Sequence, residues 1–273
     1  MIYIQTPSLN IPALGFGTYK LTGAPCRKAV TDAIGAGYRH IDTARFYDNE
    51  HEVGQGIKDA GVERQALFVT TKIWRTELEA DAVGWSVEAS LREMGLEYID
   101  LLLIHWPNAE VALAQTLEAM VQAVSCGKVR AVGVSNFPVA LWEQAREFAP
   151  VVCNQVEYHP FLSQEAVCQA ARRSGGAVVA YSPLARAAVW GDPVLESIGQ
   201  AHGKSAGQVA LRWLVQQPGV GAVPKATSRQ HIEHNFDIFD FELSQQDMDR
   251  IKALACGRRL VQPSWAPQWD PQT

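Results

Sequence analysis

Several things that often announce a function are missing from this 273-residue chain. Its five cysteines (Cys26, Cys126, Cys153, Cys168 and Cys256) are scattered and form no CxxC pair, so neither a zinc cage nor a redox dithiol is expected. Free thiols are the expectation instead. The most apolar stretch, Ile99 to Trp106, carries Asp100 and His105 and is too short to span a bilayer. The first residues, Met1 to Pro7, show no basic region leading into an apolar run, so no signal peptide is expected. No Asn-x-Ser/Thr acceptor occurs, and the reading is a cytoplasmic protein. Basic excess is missing too. Twenty-four Lys and Arg face 29 Asp and Glu, for a net charge of −5, which disfavours nucleic acid and anionic membrane surfaces as partners. Gly15-Phe16-Gly17 begins a dinucleotide-type glycine fingerprint, but Lys20 occupies the third glycine position. Gly203-Lys204-Ser205 resembles the tail of a P-loop, but Ile198 stands where its upstream glycine belongs. His231 and His234 lie three apart with no third ligand suggested, so no metal is expected.

What the chain does have is regular alternation. Hydrophobic residues make up 47% and charged residues 19%, which fits a packed globule. Eight short apolar or β-branched runs occur, at 13–18, 40–44, 67–74, 98–105, 130–136, 151–158, 177–184 and 219–226. Their starts are mostly about thirty residues apart, the size of a strand–helix unit. Helical periodicity fills the gaps. Leu113, Leu117, Met120, Val121 and Val124 define one helix ending at Gly127. A second, 81–94, stops at Gly95, and a third, 163–174, starts at a Ser163 cap. The pattern predicts one α/β domain over 1–273. It is a closed (β/α)8 TIM barrel, with an N-terminal β-hairpin around Pro7 and Pro12 plugging its floor. An open doubly wound sheet is the rival, and it would normally carry the glycine fingerprint that is incomplete here.

In a barrel the carboxyl ends of the strands converge on one face, which carries the chemistry. Four residues fall at such ends: Asp42, Tyr47, Lys72 and His105. Each alone is an ordinary surface or packing residue. As a set they make sense chemically. Lys72 and Asp42 must pair in an apolar mouth, and pairing keeps the lysine charged. A phenol beside that ammonium is expected to become more acidic and to serve as a proton donor near neutral pH. A neutral histidine could orient a substrate oxygen at the same point.

These residues sit in longer runs. His40-Ile41-Asp42-Thr43-Ala44-Arg45-Phe46-Tyr47-Asp48-Asn49-Glu50, followed by Val53-Gly54, resembles the first signature of the aldo-keto reductase family. Leu101 to Pro107, Gly127 to Phe137, Ala180 to Leu184 and Val223 to Lys225 are similar to its later motifs, in order over most of the chain. The closing run Arg259 to Pro263, with Trp265 to Asp270, looks most like small bacterial members that reduce 2,5-diketogluconate or methylglyoxal. The resemblance implies a (β/α)8 barrel that reduces small aldehydes or ketones with NADPH. Tyr47 would be the general acid, Lys72 and Asp42 would tune it, and His105 would orient the carbonyl. Gly17, Thr18, Asp42, Ser135, Asn136, Gln155, Tyr181, Ser182, Leu184, Lys225, Thr227, Ser228, His231 and Asn235 would hold the cofactor. Tyr19, Trp74, Trp106 and Trp265, with Trp190, would wall the substrate.

The resemblance has gaps. Ala226, His231 and His234 stand where the family commonly has Ser, Arg and Glu, which weakens the case for strict NADPH use and leaves NADH open. Arg229 is a substitute cation for the 2′-phosphate, and His231 makes a pH-dependent preference an expectation. The segment between the fourth strand and its helix is short, implying an open pocket for a small carbonyl substrate. No heptad or exposed apolar edge demands an oligomer, so a monomer is expected. Two alternatives stay open: a Schiff-base lyase using Lys72, and a non-catalytic regulator that senses nicotinamide redox state.

Overall fold

The computed structural model describes residues 1–271. The eight apolar runs pair in chain order into one parallel sheet. After the hairpin strands β1 (Tyr3–Gln5) and β2 (Asn10–Pro12) come β3 (Phe16–Gly17), β4 (His40–Asp42), β5 (Phe68–Ile73) and β6 (Ile99–Ile104). The remaining strands are β7 (Val129–Ser135), β8 (Cys153–Glu157), β9 (Ala177–Tyr181) and β10 (Val220–Ala222). β4, β5, β6 and β8 are buried along their whole length, as strands covered on both faces must be.

The ring closes between first and last strands. Ala222 N–H donates to Ala13 O at 2.7 Å, Gly15 N–H to Ala222 O at 2.8 Å, and Gly17 N–H to Pro224 O at 2.9 Å. That seam requires glycine. A Cβ at Gly15 would sit 2.7 Å from His40 Nδ1, and one at Gly17 would sit 2.8 Å from Val223 O. The hairpin packs Ile4 and Ile11 into the floor, where a Cβ on Gly221 would meet Ile4 at 3.1 Å.

Ten helices surround the sheet among the described residues: α1 (Gly23–Ala36), α2 (Glu50–Asp59), α3 (Ala80–Met94), α4 (Leu113–Ser125), α5 (Val139–Phe148), α6 (Glu165–Arg173), α7 (Pro193–His202), α8 (Ala206–Gln216), α9 (Arg229–Phe236) and α10 (Gln245–Lys252). The helices read from periodicity are present, and Gly95 and Gly127 hold the expected positive φ. Two details differ from expectation. The N-cap of α6 is Gln164, and Ser163 lies one residue earlier, its Oγ accepting from Glu165 N–H at 3.3 Å. Two helices, α7 and α8, fill the connection between β9 and β10. The P-loop-like Ser205 caps α8 through a capping box with Gln208, and Lys204 pairs with Asp237 and Asp240. No helix among the described residues is long and apolar enough to cross a membrane.

Candidate active site

Parallel register brings the chemistry together. Asp42 ends β4, Lys72 is the penultimate residue of β5, and His105 follows β6 directly. Tyr47 closes a 3-10 turn, Arg45–Tyr47, just beyond β4. Lys72 is fully buried, and its Nζ has three partners. They are Asp42 Oδ1 at 2.6 Å, Thr43 O at 2.8 Å and Tyr47 Oη at 3.4 Å. The other oxygen of Asp42 accepts from Gln155 Nε2 at 2.7 Å. Every ammonium position is thus engaged, and Tyr47 stands as one of the partners that a carbonyl would have to displace to reach the amine. That arrangement disfavours Schiff-base chemistry at Lys72. The Tyr47 and His105 rings lie 5.5 Å apart, edge to face, and the buried His105 Nδ1 has no partner.

Burial sets the titration of these groups. It holds His105 well below the ordinary histidine value, with the Lys72 charge acting the same way, so the imidazole is neutral at neutral pH. It also lowers Lys72, against the pull of Asp42. The sequence argument has Lys72 making Tyr47 more acidic, and here the structure corrects it. Burial, then the Asp42 charge, then Tyr19 push the phenol well above its ordinary value. The Asp42 carboxylate, 2.6 Å from the ammonium, offsets the cation's field at the ring. The phenol therefore stays in its acid form through the neutral range.

Around this cluster the mouth is aromatic. Tyr19 packs at 5.0 Å from Tyr47, and Trp74 at 5.2 Å from His105. Trp265 meets Trp74 at 6.4 Å, edge to face. Trp106 is buried, with Trp269 against it at 6.0 Å. Trp190 is elsewhere, over α8, where a Cβ on Gly207 would sit 2.8 Å from its ring. Sequence reasoning missed Phe46, whose ring stacks on Trp74 at 3.8 Å and 14°. It also missed the anchors of the C-terminal segment. Buried Glu157 accepts from Leu260 N–H at 2.6 Å and Val261 N–H at 2.8 Å, and Asp270 accepts from Val139 N–H, at the start of α5, at 3.0 Å. No sequence motif marks either contact, because both join residues about a hundred positions apart or more.

Residues that the resemblance assigns to a cofactor include Thr18, Asn136, Ser182 and Lys225, which follow β3, β7, β9 and β10. Thr18 Oγ donates to Asp42 O at 3.0 Å. Asn136, next to buried Ser135, donates to His105 O at 2.9 Å and accepts from the Tyr181 hydroxyl at 2.7 Å, tying three strand ends together. Beyond Tyr181, Ser182, Ala185, Arg186 and Ala187 all have positive φ, an unusual run for residues other than glycine, and Leu184 lies inside it. Lys225 and Thr227 are exposed, Ser228 caps α9 by accepting from His231 N–H at 3.2 Å, and Asn235 is buried. Arg229, the substitute cation, pairs with Glu233 at 2.8 Å. His231 and His234 are exposed, with His234 Nε2 on Ser205 Oγ at 2.8 Å. No group of three or more His, Cys, Asp or Glu among the described residues could hold a metal.

Comparison with known proteins follows this geometry. Residues 13–255 match the model of the aldo/keto reductase family. Glyoxal reductase of Bacillus subtilis is 42% identical over 256 residues, covering 92% of each chain. Methylglyoxal reductase DkgB of Yersinia pestis is 37% identical over 268 residues, covering 96% of this chain and all of that one. A crystal structure provisionally named 2,5-diketo-D-gluconic acid reductase B superposes with a TM-score of 0.97 at 42% identity, covering 98% of this chain and 97% of the other. A Bombyx mori aldo-keto reductase solved with NADP gives 0.89 at 34% identity, over 96% and 95%. A closed barrel, an acid–base cluster at its carboxyl-end mouth and a family match over most of the sequence agree: this chain is an oxidoreductase that belongs to the aldo/keto reductase family.

Proposed function

We propose that this protein reduces small aldehydes and ketones, such as methylglyoxal or a keto-sugar acid, to alcohols with NADPH. The observation that carries this reading is the Tyr47 hydroxyl, held 3.4 Å from Lys72 Nζ beside the neutral His105 ring. Tyr47 donates a hydrogen bond to the substrate oxygen and then its proton, while His105 fixes that oxygen's direction. Lys72 holds the phenol in place and, with Asp42, keeps the buried charge balanced. The donor set suits a dinucleotide. Asn136 and Tyr181 would hold the nicotinamide, the backbone of 182–184 and Lys225 the phosphates, and Asn235 the adenine. Bound there, the nicotinamide supplies the hydride. Because Arg229 is tied to Glu233, Lys225 and His231 are the cations left for a 2′-phosphate, so NADH is accepted as a weaker alternative.

The test is loss of NADPH absorbance with methylglyoxal, run also with NADH. Tyr47→Phe is expected to lose at least ~10²-fold in kcat while retaining cofactor affinity. Near-normal turnover in that variant removes Tyr47 from its role. Tight NADPH binding with no oxidation by any carbonyl would favour a nicotinamide-sensing regulator instead.

A further inference from the structure

Behind the acid–base cluster, on the outer face of β5, another buried carboxylate gathers donors from three elements. Side chains alternate along a strand, so with Lys72 inside the barrel its neighbour Thr71 faces the helices. Glu50 opens α2 and is 5% exposed. Its Oε1 accepts from Thr71 Oγ1 at 2.6 Å. Its Oε2 accepts from Ser90 Oγ of α3 at 3.1 Å and from Arg45 Nη1 at 3.4 Å. Arg45 begins the 3-10 turn that ends at Tyr47. The same arginine is braced on its other side. Its Nε donates to Glu77 at 3.2 Å, Glu77 accepts from Ser86 Oγ of α3 at 3.0 Å, and the guanidinium lies 5.0 Å from the Trp85 ring centroid.

Stability alone does not call for a carboxylate in this layer. Packed apolar residues commonly leave a fold as stable or more so, because only good partners offset the desolvation of a buried charge. Glu50 has such partners in its three donors and the N-terminus of α2, and two of those donors adjoin a group of the acid–base cluster. Thr71 precedes Lys72 directly. Arg45 lies two residues before Tyr47, and Glu50 itself three after. One carboxylate thus joins the strand that carries the ammonium to the turn that carries the phenol.

We infer that Glu50 is a positioning residue. Through Thr71 and Arg45 it sets the approach of Tyr47 Oη to Lys72 Nζ, 3.4 Å apart, from the helix side of the sheet. This rests on the reading of Tyr47 as proton donor and adds the residue that holds the donor in reach.

The experiment follows single-turnover oxidation of bound NADPH by methylglyoxal, beside NADPH affinity from quenching of tryptophan emission. Thr71→Val removes one donor and keeps the side chain's shape. The rate is expected to fall about ten-fold, the scale of a hydrogen bond to a charged group, and to return in Thr71→Ser. Glu50→Leu removes all three bonds and should lose ~10²-fold, the scale of a misplacement of about 1 Å. Glu50→Gln keeps an acceptor oxygen for Thr71 and should recover most of that loss. NADPH affinity should be unchanged in every variant, which a general loss of structure would not allow. Normal rates in Thr71→Val and Glu50→Leu overturn the inference. So does a loss that Thr71→Ser and Glu50→Gln fail to restore, or one matched by a loss of NADPH affinity. If Glu50→Leu does not fold, the two Thr71 variants decide alone. If the unmodified protein oxidises NADPH with no carbonyl, the proton-donor reading has failed. Crystals of the Thr71 variants then decide, since the inference requires the Tyr47–Lys72 separation to lengthen in Thr71→Val and return in Thr71→Ser.

Discussion

Two buried acids lie at opposite ends of the barrel strands, and they are held differently. At the floor, Asp100 accepts from Arg64 at 2.6 Å, Arg130 at 3.2 Å and the Val69 N–H at 2.9 Å. The two guanidiniums also lie 4.0 and 4.1 Å from the Tyr98 ring centroid. At the mouth, Asp42 is held by Lys72 and Gln155. Arginine stays charged wherever it is placed, whereas lysine shifts readily on burial. The floor pair also reaches water: Arg64 and Arg130 side chains are 19% and 45% exposed, against 0% for Lys72. The same ion-pair chemistry therefore braces the fold at one end, and at the other leaves an ammonium in contact with the Tyr47 phenol.

The sharpest way to break this contrast is to remove one member of the ion pair at each end. Lys72→Met is expected to lower kcat by ~10²-fold or more, the scale of a lost acid–base partner. Asp42 keeps its hydrogen bond from Gln155 in that variant. Asp100→Asn should do the reverse. It should cost about 2 kcal/mol in a denaturant titration, less than a fully buried orphan charge because its arginines reach solvent, with kcat per folded molecule retained. If Asp100→Asn costs turnover as Lys72→Met does, the division of labour is wrong. The last test is the pH dependence of stability. His40 and His105 are both held below the ordinary histidine value by burial, so the unfolded chain binds protons more readily than the folded one. Stability is then full above about pH 6.5 and falls as pH drops below it, by about 1.4 kcal/mol per pH unit for each proton. A stability curve flat down to the carboxylate range would contradict the assignment of both rings as neutral.

The strands were legible because sheets covered on both sides must be apolar throughout, and each run of that kind became one. Their ends were not. The run 219–226 yields only Val220–Ala222; Val223 N–H still reaches Ala180 O at 3.0 Å, but Pro224 has no N–H to give. The run 13–18 splits. Phe16–Gly17 pairs with β4, while Ala13 and Gly15 bond to Ala222 and close the ring. The grouping of Asp42, Tyr47, Lys72 and His105 followed from strand-end positions alone. The direction of the Tyr47 shift did not, since it depends on how deeply the ring and its charged neighbours are enclosed. Phe46 carries no motif of its own, and its stack on Trp74 exists only once β4 and β5 lie side by side. The C-terminal anchors share this property: Glu157 and Leu260 are ordinary residues until the fold makes them neighbours.

The segment from Leu260 to Asp270 crosses the mouth as a strap tied at two points, and Trp265 and Trp269 hang from it. The Asp42, Tyr47, Lys72 and His105 cluster is positioned by the strands, whereas part of the aromatic rim around it is written in a separate stretch of sequence. Selectivity in such a molecule can drift, or be re-engineered by exchanging that stretch, while the reacting centre stays untouched.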